Sequence, residues 1–151
     1  MNKTVIIYIC IFTAIALGNM YLKSLRKTEK EIEIKGIENI VLKFNDEQTK
    51  LVLNKTTTVN ELVEMLPIEG TMRNAGGKLS MELPSTIKSN PVKVTQVYKG
   101  DIMLEEGKTL VIYLEDQNVN KNYTKLGKVL LINKLDEVTD IDEVKVSINK
   151  G

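Results

Sequence analysis

Arg73 is the single arginine beyond residue 26, and three tyrosines, Tyr98, Tyr113 and Tyr123, follow it along the chain. An arginine beside a groove can donate hydrogen bonds to a peptide carbonyl, and phenol rings can line that groove with an apolar wall carrying a polar tip. Arg73, Tyr98 and Tyr123 are therefore the candidate ligand-binding residues, and Arg73 is the candidate for any catalysis. Residue type alone also fits a solvated arginine and wall-packing tyrosines, most clearly for Tyr113 inside its apolar run.

Other chemistry thins quickly. The chain has no histidine, so it has no Ser-His or Cys-His nucleophilic pair, no imidazole metal ligand and no side chain that titrates unperturbed near neutrality. Its one cysteine, Cys10, lies in the N-terminal apolar run and excludes an intramolecular disulfide. Asp136, Glu137, Asp140, Asp142 and Glu143 form an acidic group, but they lack the glycine and spacing of a calcium loop and read as a solvated face. Asp101 after Gly100 reads as a turn residue whose carboxylate caps nearby amides. No cofactor and no metal are expected.

The charge balance, 21 basic against 20 acidic side chains, gives a formal net charge of +1 and no field to attract nucleic acid. The basic residues are nearly all lysine, which argues further against bidentate phosphate recognition. At 151 residues with 42% hydrophobic side chains, one globular core is expected, as a monomer.

Residues 4–22, TVIIYICIFTAIALGNMYL, carry no charge and are bounded by Lys3 on one side and by Lys23, Arg26 and Lys27 on the other. That length just suffices to cross a bilayer of about 20 apolar residues' depth. Residues 1–22 are read as a membrane anchor, with a cleaved signal segment as the alternative, and 23–35 as a charged linker that includes a first strand at Ile32 and Ile34. Counting the flanking lysines and arginines favours a cytoplasmic domain.

What positions the candidate residues is a series of short extended segments. Ile40 to Phe44 and Lys50 to Leu53 flank a polar turn. Thr58-Val59-Asn60-Glu61 matches a capping box, and Val59, Leu62, Val63 and Leu66 recur at helical spacing, so a helix is expected over about 58–66, plugging one barrel end. Ile68 to Arg73 and Lys78 to Leu83 flank Gly76-Gly77, a tight turn. Pro84 and Pro91 break the next stretch, leaving a short strand in Val92 to Thr95. Ile102 to Leu104 and Leu110 to Leu114 read as central strands, the latter buried on both sides. Asp116 to Asn122 reads as a polar loop, Tyr123 to Ile132 as a strand bent at Gly127, residues 135–138 as a helical turn, and Val144, Val146 and Ile148 as the closing strand. The fold class is mostly β: a small barrel with one capped helix.

The order of these pieces resembles the small bacterial cyclophilin-like domains. The resemblance rests on Leu66-Pro67, Leu83-Pro84, Asn90-Pro91, Gly100-Asp101-Ile102, Leu110 to Tyr113 and Tyr123-Thr124-Lys125-Leu126-Gly127-Lys128, and covers residues 36–150. It implies a β-barrel of that type. True cyclophilins isomerise X-Pro bonds in a groove of an arginine, several aromatic residues and a histidine; histidine and tryptophan are both missing here. The resemblance thus implies a non-catalytic module for a peptide or small ligand, tethered to the membrane through residues 4–22, with a weak prolyl isomerase acting through Arg73 as the alternative. Relatives with an apolar N-terminus look exported, which implies an extracytoplasmic domain, or a secreted one after signal cleavage. A purely structural envelope domain is the third reading.

Overall fold

The computed structural model describes residues 37–151. The anchor read over 1–22, the linker and the strand expected at Ile32 and Ile34 lie outside the described residues. Among the described residues no helix is long and apolar enough to cross a membrane.

Among the described residues nine strands follow in chain order: β1 (Ile37–Phe44), β2 (Glu47–Leu53), β3 (Ile68–Ala75), β4 (Lys78–Glu82), β5 (Val92–Val97), β6 (Asp101–Glu105), β7 (Thr109–Tyr113), β8 (Gln117–Val129) and β9 (Glu143–Lys150). Their hydrogen-bonded order is β2-β1-β9-β3-β4-β7-β6-β8, and β8 returns to pair with β2, which closes an eight-stranded antiparallel ring. β5 stands outside the ring, paired with β8. A closed ring leaves no strand edge among its members, which is how a small sheet protects itself from edge-to-edge association.

Alternation builds the interior. Ile40, Leu42, Phe44, Leu51, Leu53, Val144, Val146 and Ile148 point inward and are buried, with Val41, Lys43, Lys50 and Lys145 between them. Helix α1 (Thr57–Glu64) sends Val59 and Leu62 into this core, and Leu62, Val63 and Leu66 meet Ile40, Leu53 and Ile148 at one barrel end. Its cap differs from the expected one. Thr56, two residues earlier, is the N-cap and its hydroxyl accepts from Val59 N–H at 3.2 Å, whereas Thr58 is buried inside the first turn. Glu61 does not reach back; its carboxylate accepts from the Lys88 backbone N–H at 2.8 Å and ties the proline-bounded connection to the helix.

The Pro84 to Pro91 connection is irregular as expected, yet fixed: Ile87 is buried and its N–H donates to Gly107 O at 2.9 Å. The strand after it is longer than expected, running Val92–Val97.

β8 departs most from the sequence reading. It begins at Gln117, so the polar stretch 116–122 is mostly strand and not loop, and it ends at Val129, not Ile132. The polar residues there alternate because one side of that half-strand packs on the molecule and the other faces water, a pattern that net polarity conceals. Residues Ile132–Val138 instead form a 3-10 helix, η1, that buries Leu135 and Val138. Between Ile102↔Gly127 and Met103↔Lys125 the register slips by one residue, so Leu126 is an extra residue in the ladder and bulges into the core. Gly127 follows at φ 155°; a side chain there would meet the Val52 carbonyl, and its Cβ would lie 2.8 Å from Leu53 Cα. Only glycine lets β2 and β8 approach closely enough to close the ring. Residues 36–151 form one compact unit, which contains the nine strands, the plug helix and both cores described here.

Candidate functional site

The first half of β8, with β5 beside it, folds over the outer surface of β6 and β7. Along those two strands Ile102, Leu104, Leu110 and Ile112 face the barrel interior, while Met103, Val111 and Tyr113 face outward and are covered by Val94, Val97 and Tyr123. This second core explains why 110–113 reads as a run apolar on both faces.

Two tyrosines meet there. Tyr113 and Tyr123 are 1% and 0% exposed, and their hydroxyls share a hydrogen bond of 2.7 Å. The rings lie edge to face, 6.2 Å apart at 81°. Lys78 Nζ sits 6.0 Å from the Tyr113 ring centre and Lys121 Nζ 5.9 Å from that of Tyr123, at cation–π range. Lys121 also pairs with Glu105 at 3.2 Å. Burial, reinforced by the bond to Tyr123, pushes the Tyr113 phenol well above its ordinary range. Burial raises Tyr123 too. Lys78 goes down, through burial and then through its neighbour Lys121, whereas burial of Lys121 is outweighed by its bond to Glu105 and its ammonium is favoured.

Arg73, Tyr98 and Tyr123, read from sequence as one groove, occupy three different settings. Arg73 is exposed on β3, between Ser80 of β4 and Glu143 of β9. Three ring strands, β4, β7 and β6, separate its strand from β8. Tyr98 is 54% exposed in the β5–β6 turn, where its N–H donates to Asp101 Oδ2 at 2.9 Å, so Asp101 caps that turn as expected. Tyr123 is buried against Tyr113. The acidic residues Asp136, Glu137, Asp140, Asp142 and Glu143 are all exposed, and Asp136 pairs with Lys99. Among the described residues no three carboxylates or thiols come together as a cation site.

A cavity at the helix-covered barrel end is lined by Ile40, Leu51, Leu62, Leu66 and other aliphatic side chains, which offer nothing to orient a polar substrate. Among the described residues β5 is the end strand of the sheet, paired on one side only, with Val92, Lys93, Thr95 and Gln96 exposed. A second surface, at Leu130, Leu131 and Ile132, escaped the sequence reading because those residues looked like the end of a strand. Nor could spacing alone bring Lys78 to Tyr113; that needs the β4–β7 register, which places them directly opposite.

The sequence profile of the cyclophilin-like family matches residues 42–149. The chain belongs to the cyclophilin-like family. This cyclophilin-like barrel is similar to a hypothetical protein from Archaeoglobus fulgidus solved in solution, at TM-score 0.59 and 16% identity over 77% of this chain and 97% of that one. It is also similar to McbB, solved in complex with tryptophan, at TM-score 0.58 and 14% identity, covering 74% of this chain but 44% of McbB. At those identities the likeness is one of fold. No curated protein matches the cyclophilin-like chain.

Proposed function

We propose that this cyclophilin-like domain is a non-catalytic binding module for an extended peptide, held at the membrane by residues 4–22 with the domain outside the cytoplasm. The observation that carries the binding half is β5, which among the described residues leaves one row of backbone N–H and C=O groups unpaired at the end of an otherwise closed sheet. An extended peptide can satisfy such a row by adding a strand. Lys88 and Lys93 lie on or beside β5, and no acidic residue falls between Pro84 and Gly100, which favours an acidic peptide.

The non-catalytic half is supported by the scatter of Arg73 and the tyrosines and by the absence of histidine. The tether is supported by the uncharged length of 4–22, and the extracytoplasmic side is what the resemblance stated from the sequence implies.

Hydrogen exchange of the β5 amides tests the binding reading, with acidic and basic decapeptides of matched length as probes. Protection of Val92–Val97 by the acidic set, weakened by Lys88→Glu with Lys93→Glu, is expected; no protection by either set would refute the edge as the site. Protease digestion of the domain in intact cells tests the side of the membrane. A proline-peptide isomerisation assay with Arg73→Ala as control decides the enzymatic alternative, and acceleration lost in that variant would overturn the non-catalytic reading.

A further inference from the structure

Where β8 closes onto β2, the outer surface carries an apolar tip set among lysines. Val52 is 42% exposed, Leu130 54%, Leu131 48% and Ile132 47%. Val52 stands directly opposite Lys128, and the Leu130 N–H donates to Lys50 O at 2.9 Å, so apolar and basic side chains alternate across the seam. Lys43 continues the basic face onto β1. Over the outward positions of this face, Val41, Lys43, Gln48, Lys50, Val52, Lys128 and Leu130, there is no carboxylate. Of the acids around it, Asp101 is nearly buried with its carboxylate 3.9 Å from Lys128 Nζ, Glu47 pairs with Lys134 at 2.6 Å, and Asp46 is exposed at the rim, in the turn between β1 and β2.

The tip is built rather than loose. Leu131 N–H donates to the Thr49 hydroxyl at 3.2 Å, Lys134 N–H to Leu131 O at 3.1 Å, and Ile132 rests on Gly100, where a Cβ would come within 2.6 Å of its Cγ2. The backbone is therefore pinned while three consecutive aliphatic side chains face water, an arrangement that costs solvation unless something apolar meets it.

We infer that this seam face docks onto an anionic bilayer surface, with Leu130, Leu131 and Ile132 entering the headgroup boundary and Lys43, Lys50 and Lys128 meeting lipid phosphates. The chemistry matches: aliphatic side chains gain by leaving water, and lysines ringed around them are attracted to negative headgroups and keep their ammonium groups wet. The position of the tether agrees. The first residue of β1, Ile37, pairs with Leu53, the neighbour of Val52, so the chain enters the barrel at the edge of this face. The segment 23–36 that precedes it reaches at most about 50 Å even when fully extended. The inference rests on the tethered reading for the domain's nearness to a bilayer, but the surface is tested without the tether.

Residues 36–151, the compact unit described above, are sedimented with vesicles of phosphatidylcholine alone and of phosphatidylcholine mixed with phosphatidylglycerol. Binding to the mixed vesicles only, weakening as salt rises, is expected. Lys50→Glu with Lys128→Glu should lower the partition by about fivefold or more for each lysine, and Leu131→Ser with Ile132→Ser by about tenfold or more. Lys93→Glu on β5 should leave it unchanged. Equal binding to both vesicle types, no binding, or binding indifferent to the seam variants would overturn the inference. So would concentration-dependent dimerisation abolished by the serine variant without vesicle binding, which would assign the face to a second copy. Failure of the tether itself shows separately, as full-length chain released from membranes by alkaline carbonate.

Discussion

The hydroxyls of Tyr113 and Tyr123 are each other's hydrogen-bond partner, 2.7 Å apart in a core that excludes water. Neither has another bond of that kind, and among the described residues no buried side-chain polar atom lacks one. The pair welds the β5–β8 flap to the outer face of β7, so its removal is the sharpest probe of how firmly the second core is held.

Tyr113→Phe or Tyr123→Phe alone strands one buried hydroxyl and should cost about 1–3 kcal/mol. The double phenylalanine variant removes both polar groups and should cost no more than the worse single change. Chemical denaturation of the four proteins measures the coupling, and additive losses would show that the hydroxyls act independently.

The same pair sets an alkaline limit. Burial holds both phenols above the ordinary tyrosine value, whereas the unfolded chain ionises them near about pH 10. Their contribution to stability is therefore complete below about pH 10 and is lost as pH rises toward the folded values. Lys78 and Lys121 shift in opposite directions and offset one another in sign. Phenolate absorbance from Tyr113 and Tyr123, isolated by difference against the phenylalanine variants, should appear together with loss of near-ultraviolet circular dichroism. Ionisation at pH 10 in a folded protein would contradict this.

Gly127→Ala should destabilise by about 3 kcal/mol or more, because the added methyl meets the backbone of Val52 and Leu53 and cannot be relieved by a side-chain rotation. Gly76→Ala is the comparison. At φ 64° with nothing within 4 Å of the added carbon, it should cost only the left-handed backbone, about 1–2 kcal/mol. Thermal unfolding of both variants, with equal losses as the adverse result, checks that closure and not turn geometry makes Gly127 indispensable.

Thr56→Ala should cost about 1 kcal/mol by leaving the Val59 N–H without its acceptor. Glu61→Ala should not behave as a lost capping box: its carboxylate serves Lys88 N–H, so exchange should rise in the 84–91 connection and not at the helix start.

The barrel was legible because its strands alternate and its turns carry marked residues: Gly76-Gly77, the two prolines and the Leu110 to Leu114 run each fixed an element from local chemistry. The helix was found but its cap was misplaced, since Thr56, Thr57 and Thr58 are equivalent until Val59 chooses among them in three dimensions. The first half of β8 was missed because half its residues face water. The structure does not bring Arg73, Tyr98 and Tyr123 together, for a deeper reason. Which face of the wall Arg73 or Tyr123 takes depends on register across four strands, and register is a property of pairs that no single segment carries. The seam face was hidden likewise, for Val52 and Lys128 are 76 positions apart in the chain, from 52 to 128, and become neighbours only when the ring closes.

Apart from its turn, where Glu106 and Lys108 are exposed, the hairpin of β6 and β7 has almost no side that touches solvent: it is a partition between two rooms. A partition tolerates no polar drift on either side, so sequence change in this domain must accumulate at the rims and on the outer lysine-bearing strands. Two descendants of this chain could then differ in everything they present to the outside while sharing the same dividing wall.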